Sequence, residues 1–365
     1  HLSSCEGRRY PNYSLASEAF WDNVAAILSG ATAMATKSRE VRLKSRPVGL
    51  PEASNFEVAT VDIADPGDGE VLVRNQWMSV DPYMRGRMYD RPSYVPPFQI
   101  GQPLQGGAVG TVVKSNDPKF AVGDLVESFN GWRETYVSPG SGLTKLPGGV
   151  PPQAYLGILG MPGMTAYTSF HRIGEPKAGD VVFVSGAAGA VGSAVCQIAK
   201  LRGCTVVASA GTDEKLEWLK SVGVDATVNY KKGNLLDNVK AAAPKGIDVY
   251  FDNVGGDHLE VALEVARPFA RFIECGMISI YNDKEPAPGP RNMSYVVGKR
   301  IKMQGFIVSD FADMRDQFYA EMGGWVREGK IKWEETVENG VENAPKAFLN
   351  LFSGGNTGKM LVKLG

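Results

Sequence analysis

From Val181 onward, short apolar runs alternate with stretches in which apolar residues return every three or four positions. Val181–Ser185 reads as a short buried strand, followed by a glycine turn and a helix reaching Arg202, with Val191, Val195 and Ile198 on one face. Thr205–Ser209 is the next strand and Glu214–Val222 the next helix, with Leu216, Leu219 and Val222 spaced by three. The alternation continues through Ala226–Asn229, Leu235–Ala243, Asp248–Asp252, Asp257–Ala266 and Arg271–Gly276. Such order predicts an α/β, doubly wound parallel sheet with helices on both faces.

Before this region the pattern differs. From about 38 to 160, β-type runs such as Val71–Asn75, Ala108–Lys114 and Asp124–Phe129 are separated by turn signals such as Asp65-Pro-Gly-Asp-Gly69. These predict an irregular, mostly antiparallel β domain. After the alternating region come an apolar strand over Arg300–Val308, a helix from about Phe311 to Glu328, and a last strand over Lys359–Leu364. A tail this short is expected to pack back on the first domain.

Composition changes the picture mainly by exclusion. The 365 residues carry 39 Lys plus Arg against 40 Asp plus Glu, which gives no bulk attraction to nucleic acid or an anionic membrane. No run approaches the roughly 18 apolar residues of a membrane span. The sequence thus predicts a soluble chain. Cys5, Cys196, Cys204 and Cys275 show neither close pairing nor metal-ligand spacing, which fits a reducing, cytoplasmic compartment. With only His1, His171 and His258 as imidazoles and no carboxylate cluster, the sequence predicts no metal site. Residues 1–33 faintly resemble a signal peptide, but Asp22 and Asn23 interrupt the approach to a short apolar run. Met34-Ala-Thr-Lys makes a plausible natural start, so residues 1–35 read as an extension outside the fold.

The strongest local signal is Val181-Val-Phe-Val-Ser-Gly-Ala-Ala-Gly-Ala-Val-Gly192. Strand, glycine turn and helix follow in the order a dinucleotide-binding turn requires. Gly189 lets the backbone approach a pyrophosphate, Gly192 allows close helix–sheet packing, and the helix N-terminus attracts the anion. The spelling is Gly-x-x-Gly-x-x-Gly, and a tight structural turn is the competing reading. Gly106-Gly-Ala-Val-Gly110 lacks a following helix, and Gly354-Gly-Asn-Thr-Gly-Lys359 has the wrong spacing for a nucleotide phosphate loop. The second strand of the alternating region ends Ala208-Ser-Ala-Gly211, without the acid that binds the ribose hydroxyls of NAD. Lys215 follows one helical turn later and Tyr230 ends the third strand, so the pattern favours NADP. Two strong hydrogen bonds to a 2′-phosphate give about 10²–10⁴-fold preference. Thr212-Asp-Glu-Lys also reads as a helix cap, and both roles can hold together.

Asp81-Pro-Tyr-Met-Arg-Gly-Arg-Met88, Ala187-Ala-Gly-Ala-Val-Gly192, Phe251-Asp-Asn-Val-Gly-Gly256, Cys275-Gly-Met-Ile-Ser-Ile-Tyr-Asn282 and Gly355-Asn-Thr-Gly-Lys359 occur in that order. Together they resemble the zinc-independent medium-chain dehydrogenase/reductases, in the branch of prostaglandin reductases, plant alkenal double-bond reductases and bacterial curcumin reductases. The resemblance covers about 36–365. It implies a GroES-like substrate domain over 36–160 and 312–365, a Rossmann-type NADP-binding domain over 161–311, and a cofactor in the cleft between them. It places Ala188, Gly189, Ala190 and Val191 along the pyrophosphate and Lys215 and Tyr230 at the 2′-phosphate. Asn253, Cys275, Gly276, Met277, Ile278, Ser279, Ile280, Tyr281, Phe306, Ile307, Val308 and Asn356 complete the NADPH site. The zinc-binding cousins carry a Cys near Val80, which is absent here.

The implied reaction adds hydride to the β-carbon of an α,β-unsaturated ketone or aldehyde, and negative charge develops on the carbonyl oxygen. A donor is needed there and a proton at the α-carbon. Tyr281 matches the family's tyrosine donor and is the predicted donor; Tyr83 matches a pocket tyrosine from the other domain and is predicted to position the substrate or act as a secondary donor. The competing reading makes both packing residues with wet hydroxyls, with water as the proton source. Arg85 and Arg87 could contact the substrate or a cofactor phosphate, but a solvated or inter-domain ion pair is the favoured reading. The rival functions are an NADPH quinone reductase and a non-catalytic NADPH-binding sensor. An alcohol dehydrogenase lacks its metal ligands, and a serine hydrolase lacks its Gly-x-Ser-x-Gly turn. The strand over Arg300–Val308 lies where relatives of this fold pair edge to edge into a dimer-wide sheet, so the resemblance implies a homodimer, and an apolar edge strand is an association risk unless paired.

Overall fold

A computed structural model describes residues 36–365. The extension expected over 1–35 lies outside the described residues. In chain order the strands are β1 (Thr36–Leu43), β2 (Phe56–Ile63), β3 (Glu70–Ser79), β4 (Ala108–Ser115), β5 (Leu125–Ser128), β6 (Thr135–Pro139) and β7 (Thr144–Lys145). They continue as β8 (Val181–Val184), β9 (Thr205–Ala210), β10 (Ala226–Asn229), β11 (Ile247–Asp252), β12 (Ala266–Glu274), β13 (Lys302–Gly305), β14 (Glu335–Asn339) and β15 (Lys359–Lys363). The helices are α1 (Met161–Arg172), α2 (Ala190–Leu201), α3 (Asp213–Ser221), α4 (Leu235–Ala242), α5 (Asp257–Val265), α6 (Ser294–Gly298), α7 (Arg315–Arg327) and α8 (Ala344–Ser353).

Three sheets organise these elements. The parallel sheet runs β10-β9-β8-β11-β12-β13, the doubly wound arrangement expected of alternating strands and helices. Its strands β8, β9 and β11 are apolar runs because helices cover both faces. The second sheet runs β14-β15-β3-β4-β5-β7, with β6 also paired to β3. The tail therefore does return: β15 joins β3 in antiparallel register, Leu361 opposite Ser79. Strands β1 and β2 form a separate hairpin, which the sequence reading did not contain. The largest apolar cluster joins the two large sheets, with Val109 and Leu361 on one side and Val184, Phe251 and Phe318 on the other.

Four elements depart from the sequence-based expectation. Strand β3 continues to Ser79 because an irregularity at Asn75/Trp77 absorbs the change of register and lets pairing with β4 resume. Strand β12 starts at Ala266, and Gly276 lies in the loop beyond it. The strand expected over Arg300–Val308 shrinks to β13. Arg300 takes φ 51°, and a 3-10 turn begins at Val308, so neither end can stay in the ladder. Strand β13 (Lys302-Met-Gln-Gly305) is mostly exposed and polar rather than an apolar edge. The helix expected from Phe311 starts at Arg315, because Phe311 itself has φ −115°, ψ 31°.

Candidate active site at the strand ends

The carboxyl ends of β8, β11 and β12 converge, where open parallel sheets bind ligands. After β8 the chain turns at Gly186, φ +56°, and α2 starts on Gly189 without a side-chain cap. A Cβ at Gly192 would stand 2.5 Å from the Gly186 carbonyl oxygen, so only glycine allows the helix this close to the turn. Ala190 and Val191 thus open a helix whose first amides face outward from the turn, an anion-binding arrangement. The turn also meets the C-terminal segment. The Gly358 N–H donates to the Ala188 carbonyl at 2.7 Å, and the Asn356 amide donates to the Gly358 carbonyl at 2.9 Å. Ala188–Val191 and Asn356, far apart in the sequence, are thereby neighbours.

The loops after β11 and β12 are tied together and to β8. Buried Asp252 accepts from Ser185 Oγ at 2.8 Å and from the Val254 and Gly255 amides at 2.8 and 2.9 Å. The Asn253 amide donates to the Ser185 carbonyl at 2.7 Å. Ile278 and Ser279 donate their N–H groups to the carbonyls of Asn253 and Val254 at 3.3 and 3.1 Å. These bonds set the course of Cys275–Tyr281. Burial pushes the Cys275 thiol up to about 12, which keeps it protonated. Phe306, Ile307 and Val308 follow β13 at the same end of the sheet, Phe306 stacked on Phe311.

Asp252 also faces Glu274 across the β11/β12 register. Asp252 Oδ2 and both Glu274 carboxyl oxygens are buried without a hydrogen-bond partner. Two carboxyls so placed cannot both ionise. Burial, then the Asp252 charge, raise Glu274 to about 8. Its folded pKa thus exceeds the unfolded value near about 4.3, and the stabilisation of the folded state is complete below that value and lost as pH rises through 8. Glu274→Gln should unfold at the same temperature as wild type near pH 5 and at a higher temperature than wild type at pH 9. Thermal unfolding across pH checks this, and a constant difference between the two proteins would refute the shared proton.

At the tip of β9 no carboxylate is present. Lys215 sits in the first turn of α3, whose Thr212 hydroxyl caps the helix by accepting from the Lys215 N–H. The cap and cofactor readings are therefore compatible. Lys215 Nζ donates to the Gly354 carbonyl at 2.7 Å, at the C-terminal end of α8. A Cβ at Gly211 would stand 2.8 Å from the Tyr230 hydroxyl and 3.2 Å from Lys231 Cε. The Tyr230 ring meets His258 edge-on at 5.2 Å, and His258 bonds Ser209 at 2.9 Å. Burial, then the nearby Lys231, lower the Lys215 pKa. Tyr230 and Lys231 therefore flank Gly211, and Lys215 lies near enough to feel the Lys231 charge, a group with the charge for a phosphate. Lys231 was missed in the sequence; its only signal is adjacency to Tyr230.

Tyr281 and Tyr83 approach from different sheets. The Met277 N–H donates to the Tyr281 hydroxyl at 3.1 Å, leaving that hydroxyl's own proton available. Burial raises the Tyr281 pKa, opposed by the Met277 bond. The Tyr281 carbonyl accepts from the Tyr89 hydroxyl at 3.1 Å, and Asn282 accepts from Arg85 Nε at 3.0 Å. Arg85 thus makes inter-segment hydrogen bonds rather than an ion pair, its second donor going to the Gly49 carbonyl. Tyr83 lies in the 3-10 turn Pro82–Met88, with a buried hydroxyl that has no partner. Burial pushes it far above the usual phenol range and Asp81 adds to this, so it stays protonated. Tyr94, not singled out in the sequence, lies near enough to act on both tyrosines electrostatically.

Beneath Tyr83 is a buried ionic group. Lys359 Nζ donates to Asp81 Oδ1, to the Val80 carbonyl and to the Met360 carbonyl at 3.0, 2.9 and 3.0 Å. Ser79 Oγ donates to the other Asp81 oxygen. Burial lowers the Lys359 pKa, and Asp81 opposes that shift. The pair pins the Tyr83 turn to β15. Among the described residues no group of three or more His, Cys, Asp or Glu could hold a metal ion.

Comparison with known proteins places this arrangement. A family profile described as the N-terminal domain of oxidoreductase matches residues 39–146, and one described as zinc-binding dehydrogenase matches 190–322. The NADPH-dependent curcumin reductase of Escherichia coli (strain K12) is 43% identical over 336 residues, covering 90% of this chain and 97% of its own. The chain belongs to the zinc-independent medium-chain dehydrogenase/reductases. Within this oxidoreductase family it falls in the curcumin, alkenal and prostaglandin reductase branch. The 2-alkenal reductase (NADP(+)-dependent) of Nicotiana tabacum is 43% identical over 89% of this chain and 97% of its own. CurA from Vibrio vulnificus, solved alone and with NADPH, superposes with TM-scores of 0.85 and 0.86 at 42% identity, over 90% of this chain and 99% of CurA. Quinone oxidoreductases at 21–23% identity share the fold. No helix among the described residues is long and apolar enough to cross a membrane.

Proposed function

We propose that this chain is an NADPH-dependent reductase of the carbon–carbon double bond in α,β-unsaturated ketones and aldehydes. The observation that carries the reading is relatedness along nine tenths of the chain to reductases named for curcumin and alkenals. The donor set fits the cofactor: an uncapped helix start on Gly189, no acid at the β9 tip, Tyr230 beside Gly211, and Lys215 in the first turn of the next helix. Ala188–Val191 hold the pyrophosphate, Lys215 and Tyr230 the 2′-phosphate, and Asn253, Cys275–Tyr281, Phe306–Val308 and Asn356 the remainder. When bound, NADPH supplies the hydride that adds to the substrate β-carbon. Tyr281 donates its free hydroxyl proton toward the carbonyl oxygen, where negative charge grows. Tyr83 positions the substrate from the opposite wall.

The test is NADPH oxidation with a linear enone, an alkenal and a quinone in parallel. Enone and alkenal turnover is expected. Quinone turnover alone would identify a quinone reductase, and NADPH binding without any turnover a sensor. With NADPH, Lys215→Ala should raise KM about 10–100-fold, the worth of a hydrogen bond to a charged group. With NADH it should leave KM nearly unchanged, and equal effects on both cofactors would remove Lys215 from the phosphate site.

The homodimer belongs to this proposal as well. Strand β13 is the free edge of the parallel sheet, and pairing it with a second copy would satisfy its ladder. Sedimentation at micromolar concentration giving the mass of one chain would overturn it. Cytoplasmic location is proposed from the free thiols of Cys196, Cys204 and Cys275.

A further inference from the structure

A narrow cleft of about 50 Å³ lies beside the Tyr83 turn. Ser79, Asp81, Tyr83 and Glu127 line it together with the apolar surfaces of Phe129, Leu156 and Met161. Binding sites for small organic molecules are roughly 300–1,000 Å³, so this cleft would have to widen to hold one. One wall is the sheet β3-β4-β5, and the other is the segment that leads into α1.

Sheet register places the polar groups on that wall. Trp77 of β3 lies opposite Val109 of β4, which lies opposite Glu127 of β5. Ser79 is two residues beyond Trp77, on the same face, and its N–H bonds the Gly107 carbonyl. Glu127 is therefore two strands across and two residues along from Ser79. At the usual spacings of a sheet that is roughly 12 Å between Cα positions. One end of the cleft carries Ser79, Asp81 and the unpartnered Tyr83 hydroxyl, and the other carries a carboxyl among apolar groups.

Nothing in the fold requires a carboxyl at position 127. Among the described residues Glu127 joins no salt bridge, and Arg315 of α7 acts on it only through space. Tyr319 of α7 and Tyr155 are the other titratable groups on this side. Burial raises the Glu127 pKa and Arg315 opposes the shift. An acid half-buried in an apolar wall without a partner loses solvation for no structural return. The cost is offset when a ligand brings a hydrogen-bond donor.

We propose that Glu127 is a specificity-determining residue that accepts a hydrogen bond from a hydroxyl or phenol remote from the reacting double bond. The inference rests on the enone-reductase reading. The carbonyl of the substrate lies at the Tyr83 end and its hydroxyl-bearing tail runs along Phe129 and Leu156 to Glu127. A substrate of this class is an unsaturated ketone whose far end carries an alcohol or phenol, about as long as the separation of the two poles.

The test compares a hydroxyphenyl butenone with its methoxyphenyl counterpart, which differs only in the remote donor. Wild type should favour the hydroxyl compound in kcat/KM by about 10-fold, mostly through KM, the worth of one hydrogen bond to a charged acceptor. Glu127→Leu should bring the ratio near one, and Glu127→Gln, which retains an acceptor oxygen, should lie between. A ratio unchanged in Glu127→Leu, or an equal loss with both compounds, overturns the proposal. Turnover of neither enone by wild type would instead overturn the enone-reductase reading. The affinities of the two compounds for wild type and Glu127→Leu would then still decide the role of Glu127.

Discussion

Lys359→Met should cost about 3–5 kcal/mol of stability, the largest loss expected from any single change in the site. The ammonium is fully enclosed, and each of its three protons goes to an oxygen of the Tyr83 turn or of β15 itself. Without it, Asp81 keeps its buried charge with only the Ser79 hydroxyl as a partner. The penalty arises from that orphaned carboxylate more than from the lost attraction. A double change, Lys359→Met with Asp81→Leu, should therefore recover more than half of the loss. Thermal and urea unfolding of the two single variants and the double variant measure it. Additive losses would show that the pair is not energetically coupled. Turnover should fall in all three, because the Tyr83 turn loses its anchor on β15.

Tyr281→Phe should lower kcat for enones by about 10²-fold while KM changes little, as expected when a donor acts mainly in the transition state. In the described geometry the Met277 N–H already occupies one lone pair of the hydroxyl, which leaves the phenolic proton free to donate. Tyr83→Phe should cost less and act more on KM if Tyr83 positions the substrate as proposed. Phenylalanine at 281 leaves the Met277 amide without its acceptor, at about 1–3 kcal/mol if it stays dry. NADPH binding by fluorescence should accompany the kinetics to confirm an intact loop. An unchanged kcat would assign proton delivery to water and leave hydride positioning as the main catalytic effect.

The first expectation depends on contacts between residues remote in the chain, the second on a local bond between Met277 and Tyr281. In the 181–276 region the sequence showed strands and helices to within a few residues, because buried parallel strands and amphipathic helices impose local periods of apolar residues. Where a backbone exception intervened, the pattern misled. Arg300 at positive φ and the kink at Phe311 are set by how the chain leaves the sheet, and no apolar period marks them. The β1–β2 hairpin escaped notice because exposed and buried positions mix along β2.

By itself the sequence determined the doubly wound sheet, the dinucleotide turn, the missing acid at the β9 tip and the order of the family motifs. Each of these is written in contiguous residues, where glycine, charge and hydrophobic period act locally. Only the tertiary structure decided that Asp81 pairs with Lys359, that Glu274 lies opposite Asp252, and that Glu127 faces the cleft. Those depend on strand order and register, which bring together groups up to 278 residues apart. The free energy of a buried charge is set by its surroundings, and composition along the chain does not specify them.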